Sequence, residues 1–308
     1  MKKFIKIALL ALTIGIPFTF ISCNNDSKKV EEKSGGTIKI ATKPMTEQFI
    51  LSEMLKALIE ENTNLNVEIT KGIGGGTSNI HPAIVKGEFD MYPEYTGTGW
   101  SFVLKEKHIP DDKTLFEDLN KKYMENYKLK WVGLYGFNNT FGLAVRKDIA
   151  KKYNLKTYSD LEKYSKDLKF GAEYDFYERD DGYDALCKKY NFKFKEAVDL
   201  DIGLKHKAIN SKEIDIMNIF TTDGQLSTSD IVVLKDDKNF YQTYYSGTVV
   251  REDTLNKYKD LEGVLLKMNN IITEAEMSKL NNEVESNGKD EKEVAINFLK
   301  EKGLIKKD

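Results

Sequence analysis

The chain has 308 residues, 40% hydrophobic and 31% charged, with 47 basic side chains against 49 acidic ones for a formal net charge of −2. That balance excludes the basic footprint of a nucleic-acid-binding protein, and two cysteines in the whole chain leave no disulfide framework. The length allows one large domain or two lobes of ordinary size.

Met1 to Lys6 is a basic opening, Ile7 to Ile21 is an apolar run of fifteen residues, and Ser22-Cys23 closes it before a polar tract, Asn24 to Gly36. The run is short for a membrane span and its flanks are those of an export signal, so 1–22 is predicted to be a signal peptide. A small residue before a cysteine at the end of the apolar run predicts lipoprotein processing, with Cys23 as the acylated first residue. Phe20-Ile21-Ser22-Cys23 is a loose version of that signal, since leucine is more usual at the position of Phe20. The alternative is an uncleaved membrane anchor, and either reading puts the folded part outside the cytoplasmic membrane. One acyl chain anchors only marginally; a diacylated, N-acylated cysteine supplies the rest. Residues 23–36 then form a lipid-anchored flexible tether. The remaining cysteine, Cys187, reads as a half-buried small apolar residue.

Thr37 to Ala41 alternates like a strand, and Thr46 is placed to cap a helix carrying Ile50, Leu51, Met54, Leu55 and Leu58 at helical spacing. Val67–Thr70 is the next strand. A glycine turn, Gly72 to Thr77, leads into a helix with Ile80, Ile84 and Val85, and Glu88–Tyr92 is a third strand. This is the βαβαβ opening of an α/β sheet. A helix from about 112 to 127 and an extended stretch at 128–132 follow. Further strands are expected at Phe141–Val145, Leu168–Ala172, Ile214–Asn218 and Ile231–Leu234. The C-terminal part is helical, with Thr273-x-x-Glu276 spaced as a capping box. Strands therefore cluster in two groups, and the economical solution is two α/β lobes with the helical tail packed on the first.

No catalytic or metal centre emerges. The glycine turn lacks the third glycine of a dinucleotide fingerprint and the Gly-Lys-Ser/Thr of a P-loop. His81, His108 and His206 show no metal-ligand spacing, and His81, next to Pro82, reads as structural at a helix start. No Gly-x-Ser-x-Gly elbow is present, and acidic pairs such as Asp180-Asp181 read as solvated turns. No cofactor is expected. Aromatics do stand beside polar turns at strand ends: Tyr95, Phe141, Phe220 and Tyr244. In open α/β sheets ligands bind at the carboxyl ends of strands. A cluster of rings there suits a quaternary ammonium, which has no N–H to donate but is attracted by ring quadrupoles.

Six segments in order carry a resemblance: Thr42-Lys-Pro-Met-Thr-Glu-Gln-Phe-Ile50, Tyr92-Pro-Glu-Tyr-Thr-Gly-Thr98, Tyr135-Gly-Phe-Asn-Asn-Thr140, Glu178-Arg-Asp-Asp-Gly-Tyr183, Thr221-Thr-Asp-Gly224 and Leu234-Lys-Asp-Asp-Lys238. Through them the chain, over about 37–306, resembles the substrate-binding proteins of osmoprotectant ABC importers, the glycine betaine/choline/carnitine (quaternary amine) family. The resemblance implies a two-lobed, type II periplasmic-binding-protein fold with a cleft between lobes. It places hinge crossovers near 132–134 and 236–239, so that 37–133 plus 238–308 form lobe 1 and 134–237 form lobe 2. It carries an aromatic cage onto Tyr95, Phe141, Phe220 and Tyr244, and carboxylate contacts onto Lys43, Thr98 and Arg179. Many relatives have tyrosine at all four cage positions, so Phe141 and Phe220 are departures that keep the ring and lose the phenol. Gln242–Thr248 departs from a Pro-Pro-Tyr-Asp-x-x-Pro stretch of relatives, and Asn139 stands where some have aspartate.

The function implied is capture of glycine betaine, proline betaine, carnitine or choline and delivery to an ABC permease. The protein would be a monomer outside the cell membrane, attached through its lipid anchor, and would do no chemistry. A second reading keeps the fold and changes the cargo to a bulkier trimethylammonium betaine such as ergothioneine. A third, an exported enzyme or a sensor, is opposed by the missing nucleophile–base set and the missing output segment.

Overall fold

The computed structural model describes residues 35–106, 112–178, 182–201, 204–241 and 243–306. The expected signal peptide, Cys23, nearly all of the tether, His108 and Arg179 lie outside the described residues.

Two five-stranded mixed sheets organise the chain. In the first, β1 (Thr37–Ala41), β2 (Asn66–Thr70), β3 (Met91–Tyr95), β4 (Leu129–Asn138) and β10 (Tyr245–Arg251) lie in the order β2-β1-β3-β10-β4. The first three strands run parallel, and β10 returns antiparallel between β3 and β4. Alternation along the strands gives the sheet two apolar faces. Ile38, Ile40, Met91 and Val250 pack with helix α1 (Thr46–Asn62) and the C-terminal helices. Tyr92, Leu129, Trp131 and Val249 point the other way, to α2 (Thr77–Val85) and α3 (Asp112–Tyr127).

The second sheet has β5 (Phe141–Arg146), β6 (Lys169–Ala172), β7 (Glu196–Asp199), β8 (Ile216–Phe220) and β9 (Ile231–Val233) in the order β7-β6-β8-β5-β9. Leu143, Val145, Phe170 and Ile216 feed one core, and Ala144, Met217 and Ile219 feed the opposite one. Each sheet therefore sits between helical layers, as βαβ connections require.

Five local expectations shift. Met45, not Thr46, occupies the N-cap of α1, with no side-chain cap bond. The third strand begins three residues later, at Met91, because Gly87 takes φ +83° and a turn consumes Glu88 to Asp90. Helix α2 begins at Thr77, so His81 and Pro82 lie inside it. The chain also leaves the first sheet later than 132–134: β4 runs to Asn138 because its partner β10 pairs as far as Tyr245↔Asn138. The return falls beyond 236–239, since Phe240 and Tyr241 still pack with the second lobe's core. The capping box at Thr273 and Glu276 forms as the spacing predicts.

The two crossings lie side by side. The N–H of Asn139 donates to the carbonyl of Tyr244 at 3.1 Å, and the Tyr244 N–H donates to Asn138 Oδ1 at 2.6 Å. Thr221 ties lobe 2 to the same point by donating to the Asn138 carbonyl at 2.7 Å. A second junction lies where the helix Glu274–Glu285 meets the turn after β8. There a Cβ on Gly224 would stand 2.7 Å from the Asn282 nitrogen, so only glycine permits this approach.

Candidate ligand-binding cleft

Six of the seven ligand-site residues expected from the sequence, Lys43, Tyr95, Thr98, Phe141, Phe220 and Tyr244, line one cavity of about 450 Å³ between the lobes. The seventh, Arg179, lies outside the described residues. Lobe 1 supplies Tyr95 as the last residue of β3, and Thr98 as the first of a π-helical turn, Thr98–Val103. The Tyr244 ring packs against Gly97, where a Cβ would come within 2.7 Å of it. Lobe 2 supplies Phe141 and Phe220, directly opposed on antiparallel β5 and β8, with ring centroids 5.0 Å apart. Two rings thus come from each lobe. Phe176, which the sequence pattern did not single out, adds a further ring 5.4 Å from Phe141.

Lys43 is not a bare cation. Its ammonium pairs with the fully buried Glu94 and lies 4.6 Å from the centroid of the Tyr95 ring. Glu94 also accepts from Thr77 Oγ1 at 2.7 Å and from the Tyr95 N–H at 2.8 Å. The carboxylate inside the Tyr-Pro-Glu-Tyr motif thereby fixes the lysine, the glycine-turn helix and the backbone of the cage tyrosine together.

A second carboxylate, Glu47, holds the other end of Tyr95. The phenol donates to Glu47 Oε1 at 2.5 Å, and Asn139 Nδ2, at the first crossing, donates to the same oxygen at 3.0 Å. Burial raises the Glu47 pKa above the ordinary 4.5, against the lowering pull of hydrogen bonds from Tyr95, Thr222, Asn139 and Asn281. A carboxyl raised in the folded state favours folding fully below its unfolded value, and that contribution is lost as pH rises through the folded value. Glu47→Gln is therefore expected to melt at a higher temperature than the parent at pH 7. The two curves should converge near pH 4. A variant less stable than the parent at pH 7 but not at pH 4 would show that the ionised form is the stabilising one.

Lobe 2 brings one charged side chain to the cavity wall that the sequence pattern also missed, with two polar partners behind it. Glu173, just after β6, receives Lys205 Nζ at 2.7 Å and Asn218 Nδ2 at 2.8 Å. Nothing in spacing marks Lys205, because helices start with lysine for many reasons; only the fold buries it. The two histidines among the described residues have protein partners. His81 packs edge-on against Tyr127 at 4.6 Å, and His206 Nδ1 lies 2.9 Å from Ser229 Oγ. Cys187 is half-buried, and burial pushes its thiol up to about 11. Among the described residues no group of three or more His, Cys, Asp or Glu side chains is placed to hold a metal ion.

Two α/β lobes, two adjacent strand crossings and a ring-walled cavity between them define a two-lobed solute-binding protein. The family model for the substrate-binding domain of the ABC-type glycine betaine transport system matches residues 36–301. The chain belongs to that family. It is 43% identical over 275 residues to the ergothioneine transport permease/ergothioneine binding protein EgtU of Helicobacter pylori (strain G27), covering 89% of this chain but only 49% of that protein. It is 35% identical to the carnitine transport binding protein OpuCC of Listeria monocytogenes serotype 1/2a (strain 10403S), covering 97% of this chain and 96% of that one. A crystal structure described as a glycine betaine/carnitine/choline ABC transporter superposes with a TM-score of 0.80 at 32% identity, covering 87% of this chain and 98% of the other.

Proposed function

We propose that the protein captures a small quaternary-ammonium solute between its lobes and hands it, unaltered, to an ABC permease. The observation that carries this reading is the single cavity walled by Tyr95 and Tyr244 from lobe 1 and by Phe141 and Phe220 from lobe 2. A trimethylammonium group set among them would gain about 0.5–2 kcal/mol per ring. Micromolar affinity requires about 8 kcal/mol, so methyl burial and polar contacts to the carboxylate supply the remainder. Thr98 and the paired Lys43 are the proposed contacts in lobe 1, with Arg179 proposed from the family likeness. Glycine betaine, proline betaine, carnitine and choline are the leading cargoes.

A bulkier betaine is favoured by two facts. A cavity of about 450 Å³ falls within the roughly 300–1,000 Å³ typical of drug-sized ligands, which leaves room for a side group. The H. pylori relative, 43% identical to this chain, is named for ergothioneine. Calorimetry of the purified protein against glycine betaine, proline betaine, carnitine, choline and ergothioneine decides between the readings. At least one should bind in the micromolar range or tighter, and silence toward all five would sink the proposal.

The same reading makes the protein a monomer outside the cell membrane, with no enzymatic action on its cargo and held by acylated Cys23. Growth with labelled palmitate should label the protein and not its Cys23→Ala variant; an unlabelled parent protein would rule out the lipid anchor.

A further inference from the structure

Beside the rings, the wall of lobe 2 holds an ion pair whose ammonium lies 5.5 Å from the centroid of Phe220. Lys205 is 1% exposed. Its ammonium donates to Glu173 Oε2 at 2.7 Å and to the carbonyl and Oδ1 of Asn218, both at 3.1 Å. Glu173, whose side chain is 13% exposed, is further held through Oε1 by Asn218 Nδ2 at 2.8 Å. A buried pair of this kind is weak as a stability device, because apolar replacements of similar volume are often neutral or stabilising. Its geometric result is a carboxylate locked in place on the cavity wall beside Phe141, Phe176 and Phe220. An ionised carboxylate offers about four acceptor positions, and the two donors on Glu173 leave acceptor capacity on both oxygens.

A quaternary ammonium cannot use that capacity, since it has no proton to give. We infer that Glu173 is a specificity-determining residue that accepts a hydrogen bond from a donor elsewhere on the ligand, an N–H or an O–H on its side group. This rests on the reading of the cleft as a betaine site and narrows it. The cleft would favour betaines that carry such a donor over glycine betaine and proline betaine, which carry none. Lys205 and Asn218 act as positioning residues that hold the acceptor fixed.

The test is calorimetry of the parent protein and Glu173→Gln with four ligands, the weaker ones read by competition. Ergothioneine presents an N–H and carnitine an O–H, while glycine betaine and proline betaine serve as donor-free controls. Charge-assisted hydrogen bonds are roughly twice as strong as neutral ones. The substitution should therefore weaken the donor-bearing ligand that the parent binds best by about tenfold or more, and the controls by less than about threefold. The paired variant Glu173→Met/Lys205→Met removes the acceptor together with its buried partner. It should show the same selective loss even if glutamine beside an unpaired Lys205 fails to fold. Equal losses for all four ligands would make Glu173 a mere counter-ion of the ammonium and overturn the inference, as would undiminished binding of the donor-bearing ligand. Silence of the parent protein toward all four would overturn the betaine reading and this inference together.

Discussion

Replacing Tyr95 and Phe220 together by alanine is expected to reduce affinity for any trimethylammonium ligand at least a hundredfold, with a cooperative melt retained. The pair removes one ring from each lobe, at the end of β3 and at the end of β8. Two lost cation–π contacts at about 0.5–2 kcal/mol each, with the lost burial of ligand methyls, come to about 3 kcal/mol or more, and each 1.4 kcal/mol is tenfold. Tyr95→Phe provides the control. It keeps the ring and deletes only the phenol that donates to Glu47, so affinity should fall far less than in the double variant. Unchanged binding in the double variant would mean that the cation sits elsewhere.

The second large effect concerns stability. Glu94 is fully buried and takes three donors, Lys43 Nζ, Thr77 Oγ1 and the Tyr95 N–H. Glu94→Ala leaves a lysine that is 8% exposed without its partner. Breaking a buried pair in this way costs about 3–5 kcal/mol. At about 2–4 °C per kcal/mol for a protein of this size, the thermal midpoint should fall by about 10 °C. Lys43→Met combined with Glu94→Gln, which removes both charges, should recover much of that loss. A midpoint for Glu94→Ala within about 2 °C of the parent would show that solvent reaches the pair and that the clamp is weaker than its burial implies.

Much of this architecture was legible because it is written in short-range patterns. The βαβαβ opening follows from period-2 and helical alternation, and the rings at strand ends stand next to turn residues that mark themselves. Exact limits were less visible. Pro93 lies inside a buried strand, where its missing N–H is normally a mark against strand, and this hid the extension of β3 to Tyr95. The length of β4 depends on pairing with β10, more than a hundred residues later, which no local window contains. The polar half of the cleft was hidden for the same reason. Glu47, Glu173 and Lys205 look like solvated charges among the 96 in the chain, and only tertiary packing buries them. Fold and ring positions reside in local sequence, whereas the electrostatics of the cavity resides in contacts between distant segments.

The insertion of β10 between β3 and β4 also sets an order of events for the emerging polypeptide. The strands of lobe 2 are contiguous, from Phe141 to Val233, and can pair as soon as that stretch is free. The first sheet cannot close until Tyr245–Arg251 arrives to fill the gap beside β3. Helix α1 must wait longer still for the terminal helix Glu291–Glu301, against which it packs. The opening strands of lobe 1 can pair with one another early, but their layer is completed only by these late segments. Lobe 1 thus stays unfinished until the C-terminal helices are made, whereas the sheet of lobe 2 can be complete well before them.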